Sequence, residues 1–299
     1  MVDELLDNLV LHLKTKGTKS VKSYEFHIKP VRAYFALTRA CDLTTMRIQQ
    51  YIQTRLEVKR TPATVNRETG ALRQALHLAR KQERFGRIPH IPMLREDNAR
   101  QGFFERAEFE AVASKLPAPV DDAARFAYLT GWRRGEIVGL AWDCVDRAGA
   151  EIRLRTSKNG HGRVLPLSGE LAVLMERRWE AREFATSQGV PGLSELVFHR
   201  NGQPLVDFRR VWKAACKESN VTGRLFHDLR RTAVRDMVRA GVPQSVAMSI
   251  SGHRTMSMFM RYNITSGEDQ REALRRTENY RKAQPAERKV KTFQPSSLS

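Results

Sequence analysis

Arginines, histidines and a tyrosine gather in three segments of this 299-residue chain at spacings suited to handling phosphate. The first is Thr130-Gly131-Trp132-Arg133-Arg134-Gly135-Glu136, with two adjacent arginines at an expected helix start. The second sets Lys158 beside Asn159-Gly160, a turn signal between two apolar runs. The third is Phe226-His227-Asp228-Leu229-Arg230-Arg231, followed by Ser251-Gly252-His253 and then Tyr262. Guanidinium groups grip phosphate oxygens bidentately, so a phosphate enzyme without a metal motif relies on them. A lysine on a short hairpin can be swung into a nucleic-acid groove. His227 and Arg230 are three apart, which puts them on one helix face. Gly252 marks a turn that presents His253 at the start of the next helix, and Tyr262 follows among Met256, Met258, Phe259 and Met260.

Each residue taken alone has a plainer reading. Arg133 is then a surface arginine paired with Glu136, and Lys158 a solvated hairpin lysine. His253 caps a helix or fills core, and Tyr262 is a half-buried packing residue. Charge weighs against that set of readings. Lysine and arginine number 52 against 33 acidic residues, a net charge of +19. The excess falls on both sides of residue 100, 19 basic against 10 acidic before it and 33 against 23 after it. A single basic tail does not explain this, and a polyanion, nucleic acid above all, is the implied partner of both halves.

Other classes drop out. Cys41, Cys144 and Cys216 lie far apart and form neither a disulfide framework nor a metal pattern. The eight histidines lack ligand spacing, and no P-loop, H-E-x-x-H or G-x-G-x-x-G occurs, so no metal and no cofactor is expected. The start is acidic where a signal peptide needs basic residues, and no apolar stretch approaches the ~20 residues that span a bilayer. The expectation is a soluble, cytoplasmic protein with reduced thiols.

The elements that must position these residues are mostly helical. Asp42 is expected to cap a segment whose Ile48, Ile52 and Leu56 recur at helical spacing. Thr61-Pro62 opens a second helix, with Val65, Leu72, Leu76 and Ala79 on one face and Arg67, Arg73, Arg80 and Lys81 on the other. The stretch from Ile88-Pro89-His90-Ile91-Pro92 to Gly102, with two prolines and a polar run, reads as an interdomain linker, whose boundary segment is assigned to residues 96–102. Helical periodicity resumes at Phe109, Val112 and Leu116. Ile152, Leu154 and Thr156 alternate with arginines and, with Val164-Leu165-Pro166-Leu167, form a hairpin around Asn159-Gly160. Past residue 205 the pattern is helical to about Lys282, and a Pro, Ser and Lys tail follows.

Together these segments resemble the tyrosine recombinase (phage integrase) family. Its pattern is an arginine in T-G-x-R, a lysine in a β-hairpin, H-x-L-R, G-H, and a tyrosine nine residues after that histidine. Arg133, Lys158, His227, Arg230, His253 and Tyr262 fill all six positions in order, and Glu136 matches a supporting acidic position. The resemblance implies a mostly α fold with a small β-sheet in two domains. Residues 1–95 would be an all-helical domain binding the core site, and 103–299 an α+β catalytic domain with a C-terminal tail. Within about 95 residues one DNA-binding domain is expected, not that domain together with an additional arm-binding one.

The implied reaction is site-specific strand exchange. The Tyr262 hydroxyl attacks a DNA phosphate, giving a 3′-phosphotyrosyl bond and a free 5′-hydroxyl, without metal or ATP. By resemblance, His227 is the general base, Lys158 the general acid, Arg133 and Arg230 the phosphate clamps, and His253 a hydrogen-bond donor. Arg134, Arg231 and Arg261 could substitute in phosphate contacts, and Tyr280 is a competing nucleophile without the G-H spacing. The implied partners are double-stranded attachment sites of a mobile element and a tetramer on two such sites, with DNA-bending accessory proteins left open. A helix over Ser266–Arg281, with Leu274 among few apolar anchors, would dock on a neighbouring protomer. The competing readings are a type IB topoisomerase-like relaxing enzyme and a non-catalytic DNA-binding regulator.

Overall fold

The computed structural model describes residues 1–84, 86–96, 102–154, 162–185, 189–262 and 267–284. The chain divides into two compact units, Met1–Arg100 and Gln101–Ser299.

The first unit is helical: α1 (Val2–Thr15), α2 (Val21–Tyr34), α3 (Thr45–Glu57) and α4 (Pro62–Lys81). Leu6 and Leu9 of α1, Val31 of α2, Ile48 of α3 and Leu72 and Leu76 of α4 meet in one core and are fully buried. Thr61 caps α4 through its hydroxyl and Pro62 fills the first helical position, as the sequence signals require. Asp42, however, lies in a short 3-10 turn, and Thr44 caps α3 instead, accepting a hydrogen bond from the Arg47 amide. The capping residue is the one with extended backbone at the helix boundary, because only its side chain reaches the free amides. Ile88 to Leu94 also departs from the linker reading. Ile91 is buried in the core of this unit, and the Asn66 amide clamps both the N–H and the C=O of Leu94 at 2.8 Å.

The second unit begins with α5 (Arg106–Ala113), α6 (Val120–Thr130) and α7 (Arg134–Val138). A three-stranded antiparallel sheet follows, β1 (Val145–Asp146), β2 (Glu151–Leu154) and β3 (Arg163–Pro166), in the order β1-β2-β3. Ile152 stands opposite Leu165, and both are buried, which fixes the inward face of the expected hairpin. Its turn, with Lys158, Asn159 and Gly160, lies outside the described residues. After α8 (Gly169–Glu180) come two small ribbons, β4 (Glu183–Ala185) with β5 (Pro191–Leu193) and β6 (His199–Arg200) with β7 (Gln203–Pro204). Strands of two or three residues are too short for alternation to mark them in sequence.

The remainder is helical, as expected: α9 (Arg209–Glu218), α10 (Asp228–Arg239), α11 (Gln244–Ser251), α12 (Met256–Met260) and α13 (Gly267–Lys282). Phe126, Trp132, Phe198 and Leu229 pack in the main core, while Val234, Ala247 and Phe259 form a separate small cluster between α10, α11 and α12. The fold is thus mostly α with small antiparallel sheets. Among the described residues no helix is long and apolar enough to cross a membrane.

Candidate functional site

The turn after α6 sets the geometry. The Thr130 hydroxyl donates to the Phe126 carbonyl at 2.7 Å and accepts the Trp132 amide at 3.2 Å, closing the helix end. Gly131 adopts φ +67°, where a side chain is strained, and a Cβ there would lie 3.2 Å from that of Ala233. Arg133 follows as the capping residue of α7. Glu136, one turn on, accepts the Arg133 amide on Oε2 and its guanidinium on Oε1, each at 3.0 Å. The surface pairing of Arg133 with Glu136 therefore exists, but Glu136 is nearly buried and its Oε2 also takes Arg163 at 2.8 Å. Burial works to raise the Glu136 pKa, yet Arg163 and then Arg133 hold it below the usual glutamate value.

Across from this turn, His227 precedes α10, and Asp228, fully buried, ties the entry by accepting the Leu225 amide at 2.8 Å. Arg230 follows in the first turn and is only 2% exposed. Its Nη1 donates to the carbonyls of Gly131 and Ser251, at the C-terminal ends of α6 and α11, where helix dipoles are negative. Its Nη2 donates to Nε2 of His253 at 2.9 Å. Among the described residues no carboxylate pairs with this buried cation, and burial followed by the nearby Arg133 pushes its pKa down. A guanidinium held this way is stabilised further by an anion arriving from outside.

His253 is not at the start of α12, which begins at Met256 behind the capping hydroxyl of Thr255. It belongs to the end of α11, where Gly252 at φ +72° lets the amides of both Gly252 and His253 reach the Met248 carbonyl. The Ser251 hydroxyl donates to the Ala247 carbonyl at 2.6 Å and accepts from His253 Nδ1 at 2.8 Å. The network thus puts the imidazole proton on Nδ1 and leaves Nε2 to accept from Arg230. Burial, then Arg230 and Arg133, push the His253 pKa down to about 3. For His253 to donate a hydrogen bond from Nε2 to a phosphate, the Arg230 contact must be exchanged and the ring proton moved to Nε2.

Tyr262 lies just past α12, after its capping residue Arg261. Phe259, fully buried, wedges that short helix against Val234 and Ala247, and the Tyr262 amide bonds the Phe259 carbonyl at 2.8 Å. The Tyr262 hydroxyl then lies 3.0 Å from His227 Nε2, with its ring 4.7 Å from that of His253. The Arg230 and Arg231 guanidinium carbons stand 5.7 and 5.9 Å from the same ring. The His227 side chain is exposed at its edge, but partial loss of water and the charge of Arg230 lower its pKa below the usual histidine value. In the tautomer protonated on Nδ1, the neutral ring accepts the phenolic proton in this hydrogen bond.

Arg133, Glu136, His227, Arg230, His253 and Tyr262 therefore converge, while Lys158 lies outside the described residues. Arg134 turns aside, donating to the Val206 carbonyl and covering the Phe208 ring at 4.8 Å. Arg231 sits between the Phe103 and Tyr262 rings, and Arg261 is exposed. Tyr280 is on α13 and 67% exposed. Sequence reading missed Arg163, although a signal was there: it shares a strand face with buried Leu165, and an inward arginine needs an anion. It missed Ser251 as well, which carries no such mark. Among the described residues no group of histidine, cysteine and acidic side chains could hold a metal ion.

Residues 105–268, more than half of the chain, match the model of the phage integrase family. The integrase of Salmonella phage P22 is 27% identical over 216 residues, 68% of this chain and 55% of that protein, so the chain spans about half the length of that relative. A lambda integrase dimer bound to a COC′ core site superimposes with a TM-score of 0.75 at 18% identity, covering 89% of this chain and 96% of that one. A lambda integrase tetramer bound to a Holliday junction gives 0.74 at 18% identity, covering 88% and 77%. At these identities the likeness is one of fold.

Proposed function

The chain belongs to the phage integrase family, and we propose that it is a tyrosine recombinase that cuts and rejoins DNA through Tyr262. The observation that carries this reading is the buried Arg230, held by carbonyls and a neutral imidazole, beside a tyrosine already hydrogen-bonded to a histidine. A phosphate entering there meets Arg230 and Arg133 on its non-bridging oxygens, where the transition state gains negative charge. The Tyr262 oxygen attacks phosphorus as its proton passes to His227. The bond to the 5′-oxygen breaks, and Lys158, assigned by its place in the motif, protonates that leaving group. A 3′-phosphotyrosyl diester replaces a phosphodiester of similar energy, so the step needs neither ATP nor metal. A free 5′-hydroxyl from a partner duplex reverses it.

The larger assembly follows from the same reading. Residues 1–95 would bind the core site, residues 96–102 joining them to the catalytic unit, and four copies would meet on two attachment sites of a mobile element. The exposed Leu274 and Tyr280 of α13, 70% and 67% exposed, leave that helix apolar points with which to dock on a neighbour. DNA-bending accessory proteins would assist where a site demands curvature.

Covalent trapping tests the reading. The protein is incubated with labelled, nicked duplexes from DNA flanking its own gene, without metal or ATP, and run on a denaturing gel. The expected band is lost in Tyr262→Phe and kept in Tyr280→Phe. Salt-sensitive binding with no covalent band would leave a DNA-binding regulator. A covalent band with plasmid relaxation but no joining of two sites would make the chain a relaxing enzyme.

A further inference from the structure

Resting on that reading, we propose that Arg163 is a positioning residue, which keeps Arg133 open to phosphate by sharing the Glu136 carboxylate and which fixes the turn carrying His253. Three contacts support this. The Arg163 side chain, 9% exposed, pairs through Nη2 with Glu136 Oε2, while Oε1 of the same carboxylate holds Arg133. Its guanidinium lies over the Trp132 indole, Cζ 4.0 Å from the ring. Its Nη1 edge packs against Gly252, where a Cβ would overlap it. Gly252 is therefore required twice, for φ +72° and for the space the guanidinium occupies. Arg163 stands on β3, on the face shared with buried Leu165, so the sheet, the α6–α7 turn and the end of α11 are tied at one side chain.

The function of the tie lies in competition for one carboxylate. Glu136 is nearly buried and flanked by two guanidinium groups, each taking one of its oxygens. With Arg163 gone, Oε2 keeps only the Arg133 backbone amide. The carboxylate is then free to turn both oxygens onto the Arg133 side chain, the bidentate geometry that guanidinium favours. Arg133 would be withdrawn from the phosphate it is meant to clamp. Lysine at 163 supplies charge to Glu136 but neither the flat face for Trp132 nor the second edge for Gly252.

The test is single-turnover cleavage of the nicked duplex at saturating protein, with rate constant and covalent amplitude read separately, plus DNA affinity and a thermal melt. Arg163→Met is expected to cut the rate constant by about 10²-fold, the cost of misplacing a reacting group by about 1 Å. Amplitude and affinity should stay near those of the parent protein. Arg163→Lys should recover to within about tenfold of the parent rate. Glu136→Gln placed in the Arg163→Met background should not multiply the loss, because both changes act on one link. Penalties that multiply, or a lowered melt and amplitude with an unchanged rate constant, would overturn the proposal and leave Arg163 a packing residue. If the parent protein forms no adduct, or the adduct survives Tyr262→Phe, the recombinase reading falls and this inference with it. An adduct lost in Tyr262→Phe but formed at parental rate by Arg163→Met sinks the inference alone.

Discussion

The Nε2 atom of His227 and the hydroxyl of Tyr262, 35 residues apart in sequence, are joined by a 3.0 Å hydrogen bond. The phenol donates in this bond only while the imidazole is neutral. Partial burial and Arg230 lower the pKa of His227, so the ring stays neutral to a more acidic pH than an ordinary histidine. The cleavage rate should therefore be level through neutrality, with an acidic limb centred below about pH 6.5. His227→Gln should remove that limb and slow cleavage by about 10²- to 10⁴-fold. Single-turnover rates between about pH 5 and 8 decide it, and a limb above the ordinary histidine value would refute the assignment.

His253 makes a separate claim on pH, through stability. Its pKa is about 3 in the folded protein against 6.5 for a free histidine. A depressed value means that the unfolded chain binds the proton first. The contribution is thus complete above pH 6.5 and is lost as pH falls toward about 3. Against a His253→Gln variant, the stability advantage of the parent should shrink by about 1.4 kcal/mol per pH unit between about pH 6 and 4. Trp132, Trp142, Trp179 and Trp212 all lie in the second unit, so tryptophan fluorescence during urea unfolding follows the right part of the chain. Parallel pH curves for the two proteins would contradict the buried neutral imidazole.

What sequence could disclose depended on how local the cause was. Thr61-Pro62 and the apolar face of α4 were legible because a cap and a period act within a few residues. The residues that converge at the site were legible as motifs, since each motif is a local turn or helix start. The place of His253 was not, because it depends on which helix its amide bonds, and that is decided by the Met248 carbonyl behind it. Arg163 escaped for a similar reason. Its partners, Trp132, Glu136 and Gly252, come from three other elements, so its one local mark, the strand face shared with Leu165, does not name the anion it meets. Ile88 to Leu94 misled because proline marks a break in regular structure, not a break in packing, and Asn66 holds that segment to α4.

Phe259 should matter more to chemistry than to folding. It is fully buried, but in the small cluster with Val234 and Ala247 rather than in the main core. Phe259→Ala removes about 3–5 kcal/mol of local packing, more than so small a cluster can absorb. The expected result is a loosened α12, faster hydrogen exchange at the Tyr262 amide, and cleavage slowed by about 10²-fold as the hydroxyl leaves its place beside His227. Tryptophan-monitored unfolding should change far less than the exchange rate. Cleavage at the parental rate would show that Tyr262 is positioned by something other than this wedge.

The exposed face of α4 offers a test of how the basic excess is used. Arg67, Arg80 and Lys81 are exposed there, whereas the Arg73 guanidinium is held by the Ile91 carbonyl at 2.6 Å. If this face meets DNA, each of the three exposed cations releases counterions on binding, and Arg73 serves the fold instead. A plot of log affinity against log salt should then be steep, and Arg67→Ala, Arg80→Ala or Lys81→Ala should each lower its slope by about 0.9 for every phosphate left unneutralised. Arg73→Ala should leave the slope nearly unchanged and lower the stability of the first unit, because the segment through Ile91 loses a tie to α4. Equal slopes in all four variants would move the DNA-binding surface off this helix. A slope change confined to Arg73→Ala would mean that its guanidinium leaves Ile91 for phosphate when DNA binds.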